Sequence, residues 1–350
     1  MIFNSSLLVE DSFEYVEEAH IVIENNLIAS YEYGYASDGI DAKKYLIMPA
    51  FVNSHTHIGD SFAKEAVLGL SCKEAVGKNG KKWLLYQEVN RNTVIESMRD
   101  TLDYMINSGI STFVDFRENG LDGINMLKEA AYGSPIRFIV LGRDVDIDKC
   151  DGLGLNVYQL DQILESKKNK LIAIHAGEAK DEIGIALDHN PDIIVHFTLA
   201  TDEEIKKAKE KNISIVICPR SNSVLRVGIP NVRKMLDFGL DVALGTDNVM
   251  INQPNLFREM EFISKLSYLS ENLEPIEILK MVTLNGAKML NMNSGIIETN
   301  KVADLLFIDK EATNLKDNKD MVATIVHRCE LENVRKVMID GKIVVDKDIL

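Results

Sequence analysis

The densest chemistry in the chain lies at His55 and His57, which follow the apolar run of residues 46–52 after only Asn53 and Ser54. In an extended strand residues i and i+2 point to one face, so both imidazoles can meet a single metal ion. Imidazole is the commonest protein metal ligand, and a strand that stops on His-x-His is a candidate edge of a metal site. The same spacing also suits two inert strand-end histidines, and only further ligands elsewhere decide between the readings.

Those ligands need elements to carry them. Between residues 47 and 296 buried apolar runs alternate with amphipathic stretches, the pattern of a parallel α/β fold. Strands are expected at 46–54, 110–117, 136–142, 153–158, 171–176, 192–197, 213–218 and 241–246. Helices are expected at 93–108, 121–131, 159–167, 179–189, 202–211, 231–238, 255–270 and 275–290, the last read as core packing. Number, spacing and length match a (β/α)8 TIM barrel. Residues 1–46 and 297–350 carry short β runs with hairpin signals at Asn25-Asn26 and Asp340-Gly341, and together they predict one small composite β-sandwich domain. Residues 59–90 follow the first barrel strand without clear periodicity and contain Lys78-Asn79-Gly80-Lys81-Lys82 and the single tryptophan, Trp83. A segment of that length suggests a lid or substrate cover.

Composition narrows the partners. A net charge of −15 spread along 350 residues argues against nucleic acid or an anionic membrane surface and favours a small-molecule substrate. Cys72, Cys150, Cys218 and Cys329 are too scattered for a zinc ribbon or a disulfide framework. The N-terminal sequence has no signal-peptide pattern, and no apolar stretch is long enough to span a bilayer; the expectation is a cytoplasmic protein, with a homo-oligomer compatible with the β domain and exposed helices.

Barrel active sites gather at the C-terminal strand ends. That rim would carry His55 and His57, then Asp115, Arg117 and Glu118, then Arg143, His175 and Glu178, His196, Arg220 and Asn222, and lastly Asp247 and Asn248. Four of the seven histidines end barrel strands; His20, His189 and His327 are read as structural or surface residues. Imidazoles and a carboxylate on one rim suit Zn²⁺ or Fe²⁺ with room for water, which a divalent metal activates by lowering its pKa to about 7.

The segments PAFVNSHTH, IHAGE, IVHFT, CPRSN and LGTDN resemble the metal-dependent amidohydrolase superfamily, and within it the branch of cytosine deaminases, chlorohydrolases and S-adenosylhomocysteine deaminases. The resemblance covers essentially the whole chain. It implies His55, His57, His175 and Asp247 as ligands of one divalent metal, Zn²⁺ ahead of Fe²⁺. No strand-end lysine of the kind carried by two-metal relatives stands in the fourth strand region. Glu178 matches the branch's proton-shuttling glutamate and His196 the histidine beside the activated water. In these roles Glu178 delivers a proton to a ring nitrogen. Asp247 takes a proton from the attacking water and passes it to the leaving amine, and His196 steadies the developing tetrahedral centre. Arg117, Glu118, Arg143, Arg220, Asn222, Asn248 and Trp83 are candidate substrate contacts. Asp115, Arg117 and Glu118 equally suit a salt-bridged strand end, and Asn222 a loop support.

The implied function is a metal-dependent hydrolase that deaminates an aminated heterocycle such as a nucleobase or nucleoside. Hydrolysis of a cyclic amide or of a chloro- or alkylamino-substituted ring is the alternative within the same chemistry. A non-catalytic barrel serving as a binding or assembly subunit is the alternative of another class, disfavoured by the complete ligand set.

Overall fold

Strands buried on both faces read as unbroken apolar runs, and such runs build the centre of the protein. The computed structural model describes residues 1–163, 170–270 and 272–349. Its parallel sheet runs through Phe51–His57, Ile110–Arg117, Arg137–Gly142, Gly152–Asn156, Leu171–Ala176, Ile193–His196 and Ser214–Ile217. An eighth strand in two halves, Val242–Leu244 and Asp247–Asn248, completes it. The first half pairs with Ser214–Ile217 and the second with Thr56 and His57 of the first strand, so the sheet returns to its start as a barrel. Val52, Val114, Phe116, Leu141, Val195 and Val216 fill the interior, and the helices pack outside.

The eighth strand breaks where it passes His55. A Cβ on Gly245 would lie 2.6 Å from the Cβ of His55 and 2.9 Å from its backbone N and O. The missing ladder bonds are replaced by Asn53, whose Nδ2 donates to Thr246 Oγ1 at 2.8 Å while its Oδ1 accepts from the Thr246 N–H at 3.0 Å. Gly245→Ala is therefore expected to destabilise the fold by about 1–3 kcal/mol through overpacking at the closure. Denaturant melts check this, and an unchanged midpoint would refute it.

Both chain ends enter a separate seven-stranded sheet, in the order Lys342–Asp346, Val334–Ile339, Leu305–Asp309, Ile40–Pro49, Ile2–Val9, Glu14–Glu24, Leu27–Tyr33. Phe3, Leu7, Ile21, Ile47, Phe307 and Met338 form its own core. Asn25 and Asn26 (φ 48° and 68°) and Asp340 and Gly341 (φ 50° and 69°) make the tight turns expected of them. The run 46–54, read as one strand, is divided: Ile40–Pro49 ends in this sheet, and Phe51–His57 begins the barrel.

Two helical expectations also change. The helix over 275–290 is broken into Pro275–Met281 and Leu284–Met289. The carbonyl of Val282 is taken by the Val52 N–H of the first barrel strand, and Thr283 Oγ1 donates back to Leu279 O. For the expected helix 159–167, Val157–Gln162 form 3-10 turns, while 164–169 lie outside the described residues. Among the described residues no helix is long and apolar enough to cross a membrane, and the four cysteines are free thiols.

Candidate metal centre and active site

The barrel brings the ends of strands one, five and eight together. His55 Nε2 lies 3.3 Å from His175 Nε2 and 3.2 Å from Asp247 Oδ1. His57 Nε2 lies 3.4 Å from His175 Nε2 and 3.6 Å from the same Asp247 oxygen. The far nitrogens of two rings are committed elsewhere: His57 Nδ1 meets Glu118 Oε1 at 2.8 Å, and His175 Nδ1 meets Leu155 O at 3.2 Å. A carboxylate only accepts, so His57 Nδ1 carries the proton and its Nε2 lone pair faces the cluster, while His175 Nδ1 lies between the Leu155 carbonyl and, at 3.4 Å, Arg143 Nη2. Three ring nitrogens and a carboxylate oxygen gathered this closely suit a cation between them. A tetrahedral zinc with ligands at about 2.0–2.1 Å would space its ligand atoms about 3.3–3.4 Å apart, and the four separations bracket that value. The donor set thus fits a divalent metal.

Burial favours the neutral forms of His55 and His175, the state a metal ligand needs. Burial pulls His55 down to about 3, and burial together with the neighbouring His55 and Arg143 holds His175 well below the usual histidine range. Phe116 lies edge-on beneath His55, with ring centroids 4.3 Å apart, and beneath His175 at 4.7 Å, an apolar floor under the cluster.

On the open side lie Glu178 and His196. His196 Nδ1 meets Asn222 Oδ1 at 2.9 Å, and Asn222 Nδ2 donates to Thr198 Oγ1 at 3.3 Å. His196 Nε2 is thereby aimed inward, 3.6 Å from Glu178 Oε2. Burial disfavours its charge, but the carboxylates of Glu178 and then Asp247 outweigh burial and raise its pKa. Glu178 sits on a turn held by Glu182, whose Oε2 accepts the N–H groups of Gly177 and Ala179, each at 3.0 Å. His196 and Asp247 both have left-handed backbones, φ 77° and 58°. Strain of about 1–3 kcal/mol at each is the kind concentrated at functional sites.

A cavity of about 530 Å³ opens onto this cluster, lined by His57, His175, Glu178, His196, Asp247 and Asn248 and walled by Cys72, Trp83, Arg143, Tyr158, Leu225 and Ile251. Of the expected substrate contacts, Trp83, Arg143 and Asn248 face it. Arg117, Glu118, Arg220 and Asn222 do not line it. Arg117 is 2% exposed and lies between Asp115 Oδ2 (3.3 Å) and Glu118 Oε2 (3.0 Å). Glu118 stands behind His57, and Asn222 behind His196.

Arg220 instead turns to the wholly buried Glu259, whose Oε1 it approaches at 3.4 Å through Nη1. This pair anchors the helix Pro219–Leu225, which supplies Asn222 and also Ser221, whose hydroxyl donates to Asp247 Oδ2. Burial pushes Glu259 up to about 8, and Arg220 offsets only part of that rise. An acid raised on folding holds its proton more tightly in the native state, so its contribution to stability falls as pH rises from the ordinary carboxylate range to about 8. Glu259→Gln is expected to flatten the decline of the melting temperature over that window; parallel pH profiles of the two proteins would refute it.

Several functional positions carry no signal readable from motif alone. Asp60 and Lys82 come from residues 59–90 and are buried against the rim beside the half-buried Tyr86, with Lys82 Nζ 2.7 Å from Asp60 Oδ2 and 2.6 Å from Glu118 Oε1. Lys82 follows Lys81 and reads as a surface charge; the available signal was its i, i+4 spacing to Tyr86, which puts both on one face of the helix Lys81–Glu88.

Comparison with known proteins shows the family. The model of the amidohydrolase family matches residues 46–162 and 155–344. A Methanothermobacter thermautotrophicus protein named as an aminohydrolase is 32% identical, over 94% of this chain and 94% of its own. The 5-methylthioadenosine/S-adenosylhomocysteine deaminase of Thermococcus sibiricus is 26% identical over 98% of this chain and 93% of its own. Among solved structures, a zinc-bound adenosine deaminase from Xanthomonas campestris superposes with a TM-score of 0.82 at 17% identity, over 99% of this chain and 93% of that one, a likeness of fold.

Proposed function

Because this chain belongs to the amidohydrolase family, we propose that it works as a metal-dependent deaminase in which His55, His57, His175 and Asp247 hold one divalent ion, zinc ahead of iron. The observation that carries this is the convergence of three imidazoles and one carboxylate at 3.2–3.6 Å on a cavity that also receives Glu178 and His196. When bound, the metal supplies the nucleophile by lowering the pKa of water to about 7.

The chain's own residues do the rest. Asp247 Oδ2 is held by Ser221 while Oδ1 turns to the imidazoles, so Asp247 is oriented to take a proton from the attacking water. Glu178, on the cavity side, delivers a proton to the ring nitrogen next to the carbon under attack. His196 Nε2 faces the same side and is placed to orient the attacking oxygen and steady the tetrahedral centre that forms at that carbon. Collapse of the tetrahedral centre breaks the C–N bond as Asp247 returns its proton to the amine and the hydroxyl proton passes to Glu178, leaving a ring carbonyl, ammonia and Glu178 protonated for the next turnover. Trp83 and Tyr158 offer flat apolar faces to a heterocycle, and Arg143 offers N–H donors to its polar substituents.

The deaminases among the relatives act by name on adenosine derivatives, so a 6-aminopurine nucleoside is the first substrate class to test. Zinc-loaded protein should release ammonia from at least one member of a panel of aminated purines, pyrimidines, pterins and triazines. Protein that takes up no zinc or iron would overturn the metal reading. Metal-loaded protein that releases only halide, alkylamine or a ring-opened carboxylate would overturn the deaminase reading.

A further inference from the structure

We propose that Lys82 is a positioning residue for the metal centre, a built-in second cation that makes docking of the segment over the cavity and assembly of the site a single event. The inference rests on the metal reading above.

Lys82 is 3% exposed although it comes from the segment after the first barrel strand. Its ammonium bridges two buried carboxylates, Asp60 at 2.7 Å and Glu118 at 2.6 Å. Each carboxylate reaches a different side of the metal centre. Glu118 Oε1 accepts the Nδ1–H of His57, fixing the ring and the tautomer that leaves Nε2 free. Asp60 Oδ2 accepts from Asn248 Nδ2 at 2.5 Å, and Asn248 directly follows Asp247. One lysine thus braces the first and eighth strands where they meet.

Its position also falls within a second group of residues able to hold a cation. His57, Asp60 and Glu118 bring ligand atoms within 4.8 Å of one another, and the Lys82 ammonium stands between the two carboxylates. Charge bookkeeping supports a designed neutrality: Lys82, Arg117 and Arg143 face Asp60, Asp115 and Glu118. Removal of Lys82 leaves a buried carboxylate uncompensated, so Glu118 would swing toward Arg117 and Arg143 and away from His57. The same helix presents Trp83 to the cavity, so contact with substrate there and the orientation of His57 share one element.

Zinc affinity measured by competition with a chromophoric chelator tests this without any substrate. Lys82→Met is expected to weaken zinc binding 10–100-fold, the range typical of lost support for a ligand histidine. It should also lower the melting temperature. Because that variant is able to fail through charge imbalance alone, the double variant Lys82→Met/Asp60→Asn restores the balance of two cations and two carboxylates and removes a ligand for any second metal. The double variant is expected to recover thermal stability but not zinc affinity. Wild-type zinc affinity in Lys82→Met, or recovery of affinity together with stability in the double variant, would overturn the proposal. Wild-type protein that binds zinc yet releases no ammonia would count against the deaminase reading alone.

Discussion

Glu178→Gln is expected to keep the metal and lose the reaction, with kcat for ammonia release falling about 10²–10⁴-fold, the usual share of a general acid–base group. The substitution preserves shape and removes only the ability to carry a proton. Glu178 is separated from the four ligand atoms by its role on the cavity side: one oxygen faces His196 Nε2 at 3.6 Å and the other takes the Cys72 Sγ–H at 3.3 Å. A glutamine side chain can still accept from Cys72, so the turn held by Glu182 should survive. Metal content per chain and KM are therefore expected to stay near the wild-type values while kcat collapses. Metal analysis alongside steady-state kinetics checks this. Loss of metal would mean that Glu178 is a ligand, and an unchanged kcat would mean that the ring nitrogen is protonated by some other group.

The parts of this site visible in sequence were those whose physics is local. A strand buried on both faces must be continuously apolar, which made Ile110–Arg117 and Leu171–Ala176 readable, and a ligand pair on one strand must be spaced by two, which singled out His55 and His57. Breaks imposed by neighbours were invisible. The eighth strand divides at Gly245 because His55 presses on it, and the helix over 275–290 divides because a barrel strand claims the Val282 carbonyl. Neither cause lies near the break in sequence. Charges were readable only where their partners are local: Arg117 takes the salt-bridged strand end expected as one of its two readings, with Asp115 and Glu118, whereas the partners of Lys82 and Arg220, Glu118 and Glu259, come from other elements. Ion pairs across a barrel rim leave no periodicity to read.

Removal of the metal should cost fold stability as well as activity. His55 and His57 come from the first barrel strand, His175 from the fifth, and Asp247 from the second half of the eighth, whose ladder to the first strand consists of only the Asp247–Thr56 and Asn248–His57 pairs. Beyond those pairs the closure rests on the Asn53–Thr246 and Asn248–Asp60 hydrogen bonds, so a metal held by both strands is expected to add to it. Without a cation the Nε2 atoms of His55, His57 and His175 crowd one another at 3.3–3.4 Å beside the cavity, with His55 Nε2 also 3.2 Å from Asp247 Oδ1. Either the rings turn away or one takes a proton, and the depressed pKa values of His55 and His175 oppose the second course near neutrality. Binding to the native state alone stabilises by RT ln(1 + [L]/Kd), about 4 kcal/mol when free metal is a thousandfold above Kd. Thermal melts with and without chelator should differ by several degrees, and re-addition of zinc should restore both the transition and turnover. Asp247→Asn, which weakens one ligand and the closure together, should melt near the chelated wild type and respond little to chelator. Identical melts of metal-loaded and chelated wild-type protein would mean that the barrel closes independently of the ion, and that the opposed imidazoles are held apart by packing on Phe116 alone.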